Sequence, residues 1–153
     1  MLSLGSNRGD RLAHLRAGVD LLGQVLPVVV VSPLYETDPV GVTGQAPYLN
    51  CVVVAASDDA ESVLAAAQRA EDLRGRLRSS RWGPRTLDVD VVTVDALASS
   101  DPRLTLPHPR AHERAFVLVP WHDVEPAAVL PGHGPVRNLL TRVDRGGVRR
   151  WRP

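Results

Sequence analysis

Strand and helix patterns follow one another along these 153 residues in the order strand, helix, strand, strand, helix, strand, which predicts an α+β domain. Two observations carry that reading. Apolar stripes at helical spacing, Leu12 to Leu26 and Val63 to Leu77, each follow an acidic capping candidate, and the runs Tyr48 to Ala56 and Leu87 to Val92 alternate with the period of two expected of strands. The order is β-α-β-β-α-β, that of a split βαβ unit or ferredoxin-like fold. An antiparallel sheet with helices on one face and a C-terminal extension is therefore expected, as one domain over residues 1–153.

Met1 to Leu4 reads as a minimal first strand, and Gly5-Ser6-Asn7 as the turn after it. Asp10 is an N-cap candidate for a helix bearing Leu12, Leu15, Val19, Leu22 and Leu26 on one face, weakened at Gly23 and stopped by Pro27. Val28 to Val31 reads as a buried strand continuing through Pro33 and Leu34 towards Tyr35. The turn-rich stretch from Glu36 to Pro47 exceeds what a hairpin needs, as binding loops do. In the next strand Tyr48 and Asn50 share a face, an aromatic ring beside a carboxamide that suits a flat heterocycle. Asp58 and Glu61 form a capping-box pattern for a helix with the stripe Val63, Ala66, Ala70, Leu73 and Leu77, leaving Arg69 and Glu71 off it. That helix gives out near Gly75. Beyond Asp95 come a polar linker, a short helical element from Ala111 to Val124, a Pro- and Gly-rich stretch with a short helix near Val136 to Val143, and a basic tail whose Arg149, Arg150 and Arg152 read as solvated.

Net charge is +1, which speaks against a general polyanion binder. The longest apolar run is too short to cross a bilayer, and a strand pattern beginning almost at Met1 argues against a signal peptide. Cys51 is the single cysteine, so no internal disulfide or thiolate cluster can form, and a cytoplasmic location is the simplest expectation. Positive charge is concentrated instead. Six arginines lie from Arg69 to Arg85, where several guanidiniums can converge on phosphate.

They lead into Arg81-Trp82-Gly83-Pro84-Arg85-Thr86-Leu87-Asp88-Val89-Asp90-Val91-Val92. Alternation aims Asp88 and Asp90 at one face, roughly 6.6 Å apart along the strand. At an effective dielectric of about 20 they repel by on the order of 3 kcal/mol, a cost that a cation between them removes. Hard oxygen ligands favour Mg²⁺ completed by phosphate oxygens. An exposed strand with two solvated aspartates is also permitted, because in water the repulsion falls below about 1 kcal/mol. His108 and His112 have a metal-ligand spacing, but Pro109 interrupts any helix between them and no third ligand is evident.

The twelve-residue run resembles, without a gap, the signature of the 6-hydroxymethyl-7,8-dihydropterin pyrophosphokinase family of folate biosynthesis. Leu4-Gly5-Ser6-Asn7, Tyr35 to Asn50, Glu71 with Gly75-Arg76, and Leu106-Pro107-His108 extend the resemblance over nearly the whole chain, with departures at Asp38 and Pro109. It implies transfer of pyrophosphate from ATP to the hydroxymethyl group of a reduced pterin, releasing AMP, with two Mg²⁺ ions on Asp88 and Asp90. It further implies that Arg76, Arg78, Trp82, Arg85, Arg103, His108 and Arg114 line or close over the triphosphate, with Arg76, Arg78 and Arg85 catalytic. Gln68, Val91, Leu104 and Thr105 would form the adenine pocket, with Glu71 also on the ATP side. The pterin would lie between Tyr48 and Phe116, with Asn50, Trp82, Asp88 and backbone groups of Thr37 and Val40 around it. The proton acceptor stays undecided, between Asp90 and solvent, and so does the oligomeric state.

Two other functions are compatible with such a fold. An RNA-binding sheet would need more aromatics than this chain has, and its carboxylate pair would repel a nucleic-acid backbone, so no nucleic-acid partner is expected. A regulatory domain that binds the same small molecules would form no AMP.

Overall fold

A computed structural model of the protein describes residues 1–39, 44–75 and 85–152. In chain order the elements are β1 (Leu2–Ser6), α1 (Arg11–Gly23), β2 (Val28–Val31), β3 (Tyr35–Thr37), β4 (Tyr48–Ala55), α2 (Ala60–Leu73) and β5 (Asp88–Val91). There follow β6 (Ser99–Asp101), β7 (Leu104–Leu106), a 3₁₀ turn at Ala111–Glu113, α3 (Ala115–Val124), β8 (Val129–Leu130), β9 (Gly134–Pro135), α4 (Val136–Leu139) and β10 (Val148–Arg150). The main sheet runs β10-β3-β4-β1-β5, with β2 also on β4, and every pairing is antiparallel.

Local signals start the helices. The Asp10 side chain caps α1 by accepting from the Ala13 N–H at 2.9 Å. The cap of α2 is Asp59 rather than Asp58: its carboxylate accepts from the Glu61 and Ser62 N–H groups, so the expected capping box begins one residue late. Gly75, at φ +67, ends that helix where expected.

The sheet is covered on both faces, which corrects the expectation of helices on one. Leu2, Leu4, Leu49, Cys51, Val53, Val89 and Val91 point to α1 and α2, meeting Leu15, Leu22, Val63, Ala66 and Ala70. Val52 and Val92 point the other way, into a second core with Val117, Leu118 and Trp121 of α3 and Val136 and Leu139 of α4. Each fully buried leucine contributes about 2 kcal/mol to this packing. The run Val28–Val31 alternates between half-buried and exposed instead of being buried, because it forms an outer stretch of the sheet rather than a central strand. Pro33 interrupts it, so the expected continuous strand is divided into β2 and β3, both paired with β4. The polar linker after Asp95 contains the β6–β7 hairpin, and the basic tail contributes β10.

Cys51 lies in the first core, and burial pushes its thiol from an ordinary 9.0 up to about 12. The native protein is expected to resist a thiol reagent at pH 8 and react stoichiometrically once denatured; rapid labelling of the native protein would contradict this packing. Above pH 9 the unfolded chain loses that proton while the native chain keeps it, so this group's contribution to stability falls as pH rises towards about 12.

Candidate functional site

Strand alternation and cross-strand register together build one polar sheet face. Asp88 and Asp90 point away from the α1/α2 core that takes Val89 and Val91. Gly5 pairs with Asn50 on one side and Asp88 on the other, and Ser3 pairs with Val52 and Asp90. Paired residues share a face, so the aspartates, Asn50 and, through the next pairing, Tyr48 and Thr37 all lie on the same side. Gly5 is required by this crowding. A β-carbon there would lie 2.8 Å from the Asn50 Oδ1.

Both carboxylates are partly open, with side-chain exposures of 19% for Asp88 and 33% for Asp90, and each meets a guanidinium. Arg85 Nη1 donates to Asp88 Oδ2, and Arg114 Nη1 donates to Asp90 Oδ2 at 2.9 Å. His108 Nε2 is 3.9 Å from the same Asp90 oxygen and 3.4 Å from Arg114 Nη1. Its Nδ1 accepts the Arg110 N–H at 3.1 Å, which leaves the neutral ring's proton on Nε2, facing the aspartate. Burial pushes the imidazole below its ordinary 6.5, with Asp90 partly opposing, so the ring is neutral at pH 7. Arg114 also lies 5.5 Å from the centroid of the Phe116 ring, within cation–π range.

On the Tyr48 side, Asn50 Nδ2 donates to Thr37 Oγ1 at 2.6 Å, and both residues are buried. Burial raises the Tyr48 pKa; across the site Arg85 lowers it and Asp88 raises it by smaller amounts. Tyr35 donates to Asp123 of α3, tying β3 to the helix that carries Phe116, and its hydroxyl is pushed up to about 12, chiefly by burial.

Two positioning residues escape the sequence patterns. Glu71, only 4% exposed, has a carboxyl oxygen 2.8 Å from the Val89 N–H that it accepts, between the two aspartates along β5. Its expected place off the buried stripe is therefore corrected: α2 packs this side chain against the outer edge of β5. Asn7 links two loops at once. Its side-chain amide donates to Gln45 Oε1 at 3.1 Å and to the Ala46 carbonyl at 3.4 Å, while its Oδ1 accepts the Arg85 N–H at 2.8 Å. The resemblance over Leu4 to Asn7 marks the position but does not reveal that role.

The other expected residues that the structure describes stand on the β6–β7 hairpin, on α2 and on β5. Arg103, on the β6–β7 hairpin, is 67% exposed and pairs with Asp101 at 2.8 Å and Glu61 at 3.2 Å. Leu104 packs against the first core and Thr105 Oγ1 donates to the Asp101 carbonyl, while Gln68 is exposed on α2. Val91 is buried in the first core, so its side chain is no open pocket wall. The outward direction of the Val89 N–H recurs two residues on, making the Val91 backbone the part that faces the strand's outer edge. Val40, Arg76, Arg78 and Trp82 lie outside the described residues. Among the described residues no group of three or more His, Cys, Asp or Glu side chains could hold a metal. None of the described helices is long and apolar enough to cross a membrane.

Residues 1–126 match the family model described as 7,8-dihydro-6-hydroxymethylpterin-pyrophosphokinase. The chain is 46% identical over 170 aligned positions to the 2-amino-4-hydroxy-6-hydroxymethyldihydropteridine pyrophosphokinase of Mycobacterium tuberculosis, covering 100% of this chain and 89% of that protein. Proteins of the same name from Mycobacterium leprae and Bacillus subtilis are 46% and 44% identical, over 95% and 80% of this chain and 79% and 75% of theirs.

Proposed function

Starting from the fact that this chain belongs to the 7,8-dihydro-6-hydroxymethylpterin-pyrophosphokinase family and transfers pyrophosphate from ATP to hydroxymethyldihydropterin in folate biosynthesis, we propose that it does so with Mg²⁺ held by Asp88 and Asp90. The observation carrying this reading is the shared sheet face on which both aspartates stand with Thr37, Tyr48 and Asn50. The donor set fits the ion. Both aspartates offer hard oxygens, are partly open and belong to no larger cluster among the described residues, so phosphate oxygens and water would complete the shell. When bound, two such ions neutralise charge on the triphosphate and favour ionisation of the attacking hydroxyl.

The chain's own residues then align the reactants. In the reaction the pterin hydroxyl oxygen bonds to the β-phosphorus, the bond from that phosphorus to the α-phosphate oxygen breaks, and AMP departs. Such a transfer is accelerated mainly by in-line positioning and by charge stabilisation. Arg85 and Arg114, already seated on the aspartates, can turn to phosphate oxygens without leaving the face, and His108 Nε2–H offers a neutral donor beside them. Arg76, Arg78 and Trp82 enter by the resemblance alone. Arg103 reaches the triphosphate only if it releases Asp101 and Glu61. Adenine would lie along the outer edge of β5, near Gln68, Glu71, Leu104 and Thr105, meeting the backbone of Val91. The pterin would lie between Tyr48 and Phe116, with Thr37, Val40, Asn50, Trp82 and Asp88 around it.

The order β3-β4-β1-β5, with α1 and α2 over one face, supports reading the core as a ferredoxin-like split βαβ unit. The buried lone cysteine suits a reducing cytoplasm, where we place the reaction. Incubation with ATP, Mg²⁺ and hydroxymethyldihydropterin is expected to yield AMP and the pterin diphosphate, and chelation of the metal to stop it. Formation of ADP in place of AMP, or turnover that persists in excess chelator, would overturn the proposal.

A further inference from the structure

The segment after α4 lies beyond the stretch that matches the family model, yet it completes the sheet beside the substrate-facing strand. β10 pairs along the whole of β3, setting Val148 against Thr37, Arg149 against Glu36 and Arg150 against Tyr35. Both ends of β3 are held as well. The Trp151 N–H donates to the Leu34 carbonyl at 2.8 Å, and the Asp38 N–H donates to the Gly147 carbonyl at 3.1 Å. Trp151 also packs against the first core, which anchors the far end of the tail.

One contact between side chains closes this clamp. Arg149 Nη2 donates to Asp38 Oδ1 at 2.8 Å, and Arg149 Nη1 lies 3.5 Å from the other carboxylate oxygen. The guanidinium holds the Asp38 carboxyl below its ordinary range, chiefly by hydrogen bonding. Gly147 lies against the carboxylate: a β-carbon there would stand 3.2 Å from Asp38 Oδ2, a tight contact that the exposed side chain would have to shift to relieve. Asp38 follows directly on Thr37, whose hydroxyl accepts from Asn50 at 2.6 Å, so the ion pair grips the backbone one residue from the polar wall assigned to the pterin.

We infer that Arg149 is a positioning residue for the pterin, acting through Asp38 to hold Thr37 and Asn50 in their binding arrangement. The inference rests on the proposed pterin site. Loss of the clamp lowers the fraction of molecules with that wall in place, and the apparent affinity for the pterin falls by the same fraction. ATP, assigned to the β5 side of the sheet, is untouched.

The pair is exposed, so the expected change is modest and specific. Arg149→Ala raises KM for the pterin about threefold to fivefold, leaves KM for ATP and kcat within twofold, and leaves Tm unchanged. Arg149→Lys restores most of the affinity, and the exchange of charges in an Asp38→Arg, Arg149→Asp double variant restores part. High salt raises the wild-type KM towards that of Arg149→Ala. An unchanged pterin KM in Arg149→Ala would overturn the inference, as would equal rises in both KM values with a lowered Tm. Asn50→Ala separates the two levels. If it raises pterin KM while Arg149→Ala does not, the clamp is wrong; if it leaves pterin KM unchanged, the pterin site itself is wrong.

Discussion

Asp90→Ala is expected to lower kcat/KM about a thousandfold, roughly 4 kcal/mol of transition-state stabilisation, with a Tm within a few degrees of the parent. Its partly exposed side chain makes few packing contacts to lose, and it stands on a strand held by the pairing of Ser3 with Asp90 and of Leu4 with Val89. What it supplies is charge. On the proposed role, removing it takes away a ligand of Mg²⁺ and leaves Arg114 without its carboxylate, so the loss falls on the step in which phosphate charge moves. Asp90→Asn keeps the shape and removes the charge, and is expected to need more Mg²⁺ for half-maximal rate. Asp88→Ala is expected to act in the same direction. Steady-state kinetics across a Mg²⁺ titration decides the matter: near-parental kcat/KM in Asp90→Ala would remove the metal role.

The face that these residues share was legible because strand geometry leaves little choice. Alternation over Leu87 to Val92 sends Asp88, Asp90 and Val92 one way and Leu87, Val89 and Val91 the other, and the structure divides them as expected between the two cores and the polar face. Asn50 beside Tyr48 followed from the same period. Features that arise when distant segments meet left no local trace. Arg149 finds Asp38 111 residues away, and although the tail arginines are exposed as expected, nothing in their spacing shows that β10 pairs on the sheet. The second helical layer was missed for a related reason. Val52 and Val92 look like ordinary alternating strand residues, and only the return of α3 and α4 across the sheet shows what covers them. The pairing of Arg103 with Glu61, across 42 residues, is likewise invisible to local spacing. For Glu71 only the placing off the buried stripe is overturned, since a charged residue beside an apolar helical stripe is normally exposed.

That exception has a measurable consequence. Glu71 is buried against β5 and accepts the Val89 N–H at 2.8 Å, so Glu71→Ala strands a backbone donor at the edge of the strand that carries both aspartates. A buried donor left without its partner costs about 1–3 kcal/mol, which for a chain of this size lowers Tm by roughly 4–8 °C at the middle of that range. The same change frees β5 to shift, and a small displacement of Asp88 and Asp90 costs activity well beyond the stability loss, about a hundredfold in kcat/KM measured far below Tm. Glu71→Gln retains an acceptor of the same length and is expected to recover most of the stability. Recovered activity in Glu71→Gln would mean that the hydrogen bond to β5 is what matters; restored Tm with activity still low would place the carboxyl's charge in the catalytic balance as well. A Glu71→Ala protein that melts with the parent and turns over normally would show that β5 does not depend on this contact.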